Sequence, residues 1–163
     1  MPMIYPLRLF TFLISFFLFF LPITPSFASI DYGKQTLTGE DFSKLDLKGA
    51  TFYLTNLQDA NLSGTNLEGA SLFGAKLLNT NLSNANLRNA TLDSAVFEGT
   101  DLTNTILEDA FAFNARFKDV IINGTDFTNV IFRDEDLRYL CSIAFGTNPI
   151  TKRNTIETLE CSY

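Results

Sequence analysis

From Phe42 to Leu137 a large apolar side chain returns at every fifth position, with a single lapse at Ala112. From Ala50 through Val130, the residue two places before each of these is Ala, Thr or Val. A period of five matches neither the 3.6 residues of a helical turn nor the alternation of a flat strand. Side chains two apart on extended backbone share a face, so the small residue and its large partner point the same way. Both can enter one core only if the chain bends before the next unit. The residues for that bend are present. Two places after each centre, from Asp59 to Asp134, stands Asp, Gly, Asn or Ser, types that accept turns and left-handed backbone. Four bends return the chain above its start, which predicts coils of about 20 residues stacked about 4.8 Å apart. The stretch 42–137 then makes about five coils and a rod roughly 24 Å long.

Stacking every twentieth residue sorts the centres into four interior columns. One runs Phe42, Leu62, Leu82, Leu102, Ile122; the next Leu47, Leu67, Leu87, Leu107, Phe127. The third is Phe52, Leu72, Leu92, Ala112, Phe132, and the fourth Leu57, Leu77, Phe97, Phe117, Leu137. Each buried centre contributes about 1.5–3 kcal/mol of gross transfer free energy, offset by the entropy of ordering its unit. Units such as Ala60-Asn61-Leu62-Ser63-Gly64 and Thr65-Asn66-Leu67-Glu68-Gly69 resemble the pentapeptide-repeat proteins, whose unit is A(D/N)LXX. That resemblance implies an all-β fold, a right-handed quadrilateral β-helix. The square section and the hand come from the resemblance; the stacked coil comes from the pattern.

Beyond Leu137 the period changes. Leu137, Leu140, Cys141 and Ala144 fall at helical spacing, with Asp134 as the expected N-cap and Glu135 and Asp136 suited to the first turn. Gly146 and Pro149 end this helix, and Asn154 with Glu157 starts a second, its Ile156 and Leu159 turned inward. Residues 138–163 therefore read as a helical C-terminal cap. Residues 29–41 read as a lead-in, with Leu37 extending the register by one unit.

The opening 28 residues read as a cleaved Sec-type signal peptide. Arg8 is their only charge, Leu9 to Leu21 is apolar but for Thr11 and Ser15, and Ser26-Phe27-Ala28 places small residues at a cleavage site. The alternative is a retained anchor, for which the apolar run is short of the ~20 residues a span requires. Loss of Arg8 takes the formal charge from −6 to −7, which disfavours nucleic acid as a direct ligand. The membrane then enters only through the transient leader. Cys141 and Cys161 form an even pair near the C-terminus of an exported chain, which reads as a disulfide; the alternative is two buried thiols.

Histidine is absent, which removes the commonest general base and metal ligand. No nucleophile elbow, phosphate loop or metal-spaced cluster is evident, and Asp134-Glu135-Asp136 reads as helix-start chemistry before calcium binding. No catalytic residue, cofactor or metal is expected. Function must then lie on surfaces. Lys48, Glu68, Arg88 and Glu108 stack into a ladder of alternating sign, while Asn61 over Asn81 and Asn66 over Asn86 suggest stacked amides. The third face differs: Tyr53, Phe73, Phe111, Phe113 and Ile131 all fall on its outward positions. Either Phe111 or Phe113 tucks inward to fill the space at Ala112, or the five form an apolar strip for a partner or a second copy.

The leader, the uninterrupted array and the cysteine-containing segment Leu137-Arg138-Tyr139-Leu140-Cys141 are similar to the small exported pentapeptide-repeat proteins of cyanobacteria and chloroplasts. That resemblance implies a thylakoid-lumen or periplasmic location and a non-catalytic structural or protein-binding role. Another branch of the family mimics duplex DNA and inhibits DNA gyrase. Here Arg88 interrupts Glu68 and Glu108, and Asn61 and Asn81 interrupt Asp41 and Asp101, so the carboxylate stripes such mimicry requires are broken.

Overall fold

The computed structural model describes residues 30–161, so the expected leader lies outside the described residues. Parallel pairing joins residues twenty apart, from Asp31 with Thr51, through Asn61 with Asn81, to Ile106 with Asp126. Most sides of the coil are too short for more than an isolated bridge. Among the described residues only Val96–Glu98 (β1) and Arg116–Lys118 (β2) extend into strands, paired with Phe97 opposite Phe117.

One unit shows why five residues suffice. Asn61 N donates down to Glu40 O (2.9 Å), while Leu62 N and Gly64 N donate up to Asn81 O (2.7 Å) and Ser83 O (2.8 Å). Thr65 N closes the bend onto Leu62 O at 3.2 Å. That leaves Ser63 N, which donates to the Asn61 side chain at 3.1 Å. Every backbone donor of the unit is therefore paired. Where Asp or Asn precedes the centre its side chain makes this bond, an Asx turn repeated at Asp41, Asn56, Asn81, Asp101 and Asp126. Threonine, where it replaces the small Ala, is also explained. The buried Thr65, Thr80, Thr105 and Thr125 hydroxyls donate to Phe42 O (2.7 Å), Leu57 O (2.8 Å), Leu82 O (2.7 Å) and Leu102 O (2.7 Å).

The centres from Leu57 through Leu107 are wholly excluded from solvent, and Phe42, Leu47, Phe117, Ile122 and Phe127 nearly so. Ala112 is buried too. Twenty residues beyond it, Phe132 sets its ring edge-on to Phe117 and Phe127, with centroids 5.7 and 5.6 Å apart.

Both ends depart from the sequence expectation. At the start, the described part of the expected 29–41 lead-in, residues 30–41, is already coil: Asp31, Thr36 and Asp41 pair with the next coil. Tyr32 occupies a further interior position, stacked on Phe52 at 4.9 Å. At the other end, the helix α1 spans Asp134–Ile143, so the repeat stops before Leu137 rather than after it. Leu137 is therefore a half-buried helix residue packed on the core, and Phe132 lies half-buried outside the bridged coils. The N-cap position belongs to Arg133, without a side-chain cap, rather than to Asp134. Arg133 instead pairs with Asp136 at 3.0 Å, fastening the first turn from its own side chain.

A second helix, α2 (Thr155–Thr158), is capped by the Asn154 side chain, which accepts from Ile156 N at 3.0 Å. Leu140 of α1 and Leu159 join the core cluster, whereas Ile156 is only half-buried. Cys141 and Cys161 are disulfide-bonded, with Cα atoms 5.8 Å apart. The donors of the last coil find partners here. Phe127 N donates to the Thr158 hydroxyl (3.1 Å), Val120 N to the Tyr139 hydroxyl (3.3 Å), and Gly124 N to Phe145 O (2.9 Å).

The segment between the helices lies over one face of the coil. It covers Ile106 and Asp126, outward positions that are nevertheless buried. Gly146 permits the close approach. Its φ is 88°, and a Cβ there would lie 1.9 Å from Asn123 Oδ1 and 2.8 Å from Gly124 N.

Candidate functional site

The ladder of charges lies on the face covered by that segment. Lys48 meets Glu68 at 2.8 Å and Arg88 meets Glu108 at 2.9 Å. Arg153 extends it, pairing with Glu108 at 2.7 Å and with the buried Asp126 at 3.2 Å. Hydrogen bonds from Arg88 and Arg153 hold the Glu108 carboxyl below its ordinary range. Burial pushes Asp126 upward, but hydrogen bonds from Thr128 and Thr151, with the charge of Arg153, outweigh it, so its carboxyl too lies below the usual range. Asn86 donates its amide to Asn66 at 3.0 Å, whereas Asn61 donates to Asp41 at 3.1 Å instead of pairing with Asn81. These contacts tie coil to coil and the C-terminal segment to both. They close surface rather than offer it.

The third face is open. Tyr53 and Phe73 occupy the same register position in successive coils, with rings stacked 5.7 Å apart. The Lys34 ammonium lies 5.8 Å from the Tyr53 centroid, a cation–π approach. Leu54 adds an apolar side chain that the pattern of centres does not mark. It stands at a bend position with φ 54°, unusual for a leucine, and lies over Gly74, where a Cβ would meet Leu54 Cδ2 at 2.6 Å. Its signal in the sequence is the departure from Asp, Gly, Asn or Ser at that bend.

Neither Phe111 nor Phe113 fills the space at Ala112: they are 68% and 52% exposed, and Ile131 is 70% exposed. The backbone shows why Phe113 stands apart. Asn114 does not take the left-handed conformation that every other bend position adopts from Lys34 to Asn129. Its N–H donates not along the regular ladder but to the Asp93 carboxylate at 3.0 Å, and its side-chain amide to the same oxygen at 3.1 Å. The bend itself survives, Ala115 N reaching Ala112 O at 2.9 Å.

Between Phe73 and Ile131 these residues enclose a groove of about 810 Å³, within the size range of ligand sites. Phe73, Phe111, Phe113 and Ile131 supply its apolar walls, Asp93 and Asp109 its rim. Asp109 is fixed by the Asn129 amide at 2.9 Å. The strip can bury apolar surface against a partner, and nothing in its lining offers a nucleophile paired with a base.

Residues 37–74, 52–89, 70–109 and 97–134 match the family model described as pentapeptide repeats (8 copies). No curated protein sequence matches the chain. Among solved structures it is similar to a pentapeptide repeat protein of the Arabidopsis thaliana thylakoid lumen, at 41% identity and a TM-score of 0.79, over 80% of this chain and 91% of that one. It is also similar to QnrB1, a plasmid-mediated fluoroquinolone resistance protein, at 16% identity and a TM-score of 0.33, over 65% of this chain and 78% of that one. A third is HetL of the cyanobacterium Nostoc, involved in heterocyst differentiation regulation, at 22% identity and a TM-score of 0.27, over 66% and 61% of the two chains. The latter two likenesses are too weak to bear on function.

Proposed function

This chain belongs to the pentapeptide-repeat family, and we propose that it is a non-catalytic structural and protein-binding module of an exported compartment. The scaffold in this reading is a right-handed, quadrilateral β-helix of about five coils whose C-terminal helices cap it. The observation that carries the proposal is the exposed apolar strip of Tyr53, Leu54, Phe111, Phe113 and Ile131 beside a face otherwise made of small polar residues. A strip of this kind costs solubility unless something covers it. The thylakoid lumen is the compartment we favour. The relative at 41% identity comes from it, the leader reads as an export signal, and the disulfide suits an oxidising space.

The DNA-mimicking alternative has less support. Arg88 stands between Glu68 and Glu108 and pairs with the latter at 2.9 Å, so the charge on that face alternates. The test is to purify the protein from its own compartment alongside the Tyr53→Ser, Phe73→Ser variant. The proposal expects a stoichiometric partner with the wild type, lost in the variant at an unchanged melting temperature. A wild type that is monomeric and partner-free, or a variant that keeps the same partner, overturns it.

A further inference from the structure

The groove beside Phe111 has a chemistry that selects among partners. Its walls are apolar, while the charged side chains on its rim are the carboxylates of Asp93 and Asp109. Both are set in place before any partner arrives, Asp93 by the backbone and side chain of Asn114 (3.0 and 3.1 Å) and Asp109 by the Asn129 amide (2.9 Å). Each retains acceptor capacity, since a carboxylate offers about four lone-pair sites. Toward the C-terminal end Arg133 and Arg138 border a hollow shared with Phe113, and Arg133 is already engaged by Asp136 and Glu135 at 3.0 and 3.3 Å. An apolar trough with a fixed negative rim suits a chain segment that presents apolar side chains flanked by positive charge.

We propose that this groove docks a cationic amphipathic segment of another protein, apolar residues entering against Phe73, Phe111, Phe113 and Ile131 while Lys or Arg meets Asp93 and Asp109. This rests on the protein-binding reading above and goes beyond it by stating the partner's chemistry. A second copy joined through the same face fits less well, because it would bring the Asp93 and Asp109 carboxylates of one copy toward those of the other. An acidic segment is repelled for the same reason. Rim pairs act mainly on encounter rate and specificity, so their mark is sensitivity to salt.

The test uses the full chain expressed with its own leader and purified from the exporting cell. A displayed library of random twelve-residue peptides is selected on it, with counter-selection on the Phe111→Ser, Phe113→Ser variant. The expectation is enrichment of peptides that combine Lys or Arg with aromatic or branched aliphatic residues. Their affinity should fall roughly three- to tenfold in the Asp93→Asn, Asp109→Asn variant, which keeps an acceptor for each asparagine amide, and should lose most of its salt dependence there. Enrichment of neutral or acidic peptides that still require Phe111 and Phe113 overturns the charge inference and leaves the docking face standing. Failure to obtain any peptide that requires those residues overturns the docking face itself. Sedimentation of the wild type as a dimer that the Phe111→Ser, Phe113→Ser variant abolishes would identify a second copy as the occupant, against the proposal.

Discussion

Asn148 offers a sharp test of how the C-terminal segment is held. It is wholly buried, and its side-chain amide donates to Gly124 O at 2.9 Å and Asn104 O at 3.1 Å, with Thr105 O at 3.4 Å. Its oxygen accepts from Ile150 N at 2.9 Å and Thr151 N at 3.1 Å. One side chain thus joins two coils to the turn that carries Arg153. Asn148→Asp keeps the shape and the accepting side but removes the donors. The new carboxylate then faces carbonyl oxygens in a buried site. Two lost hydrogen bonds and the carbonyls left unpaired amount to about 2–4 kcal/mol, or roughly 5–15 °C in melting temperature at 2–4 °C per kcal/mol. The Ile150 and Thr151 N–H groups favour the charged form of the introduced group, but complete burial and the facing carbonyls oppose it. With these the larger effect, its folded-state pKa lies above the unfolded value. Folding therefore binds its proton more tightly, so the penalty is smallest below about pH 4 and grows as pH rises through the raised value. Thermal melts at a series of pH values, with amide exchange at residues 146–155, report both effects. A variant that melts within about 1–2 °C of the wild type at neutral pH, on the same conversion, and without that pH trend refutes the assignment.

Other consequences can be measured alongside. Leu82→Asp places a carboxylate in the wholly buried interior, so circular dichroism should show the coils unfolded or melting tens of degrees lower, beyond the few degrees of a surface change. An unchanged melting curve would remove Leu82 from the interior. Thr105→Val removes the bond to Leu82 O while that carbonyl still accepts from Ala85 N, so the expected cost is about 1 kcal/mol in denaturant titration. Glu108 and Asp126 have lowered carboxyl pKa values. Their stabilisation is complete above the ordinary carboxylate range and is lost as pH falls below about 4. Amide exchange over residues 148–155 should therefore accelerate in acid before that of the central coils. Reducing the Cys141–Cys161 bond, which closes a loop of sequence separation 20, should cost roughly 3 kcal/mol on the chain-entropy view and first loosen the segment around α2.

The period of five, read along the chain, determined which residues enter the core and where the chain bends, because both are local properties of extended backbone and turn chemistry. Leu62, Leu82 and Thr65 lie where their spacing places them for that reason. Local pattern says only that a residue faces outward; it does not say what is laid over it. Ile106 and Asp126 stand at outward positions, yet both are buried beneath the non-repeating segment anchored by Asn148 and Arg153. On the third face no described residue is laid down, so Phe111 and Phe113 remain in solvent. The backbone beside Phe113 turned on a contact between coils, Asn114 with Asp93, that no five-residue window contains. The end of the repeat was likewise a tertiary matter. Leu137 keeps the period, but the coil beneath it ends and α1 packs there instead, burying Leu140. Sequence spacing determined the solenoid; contacts far apart along the chain decided which parts of its surface stay open.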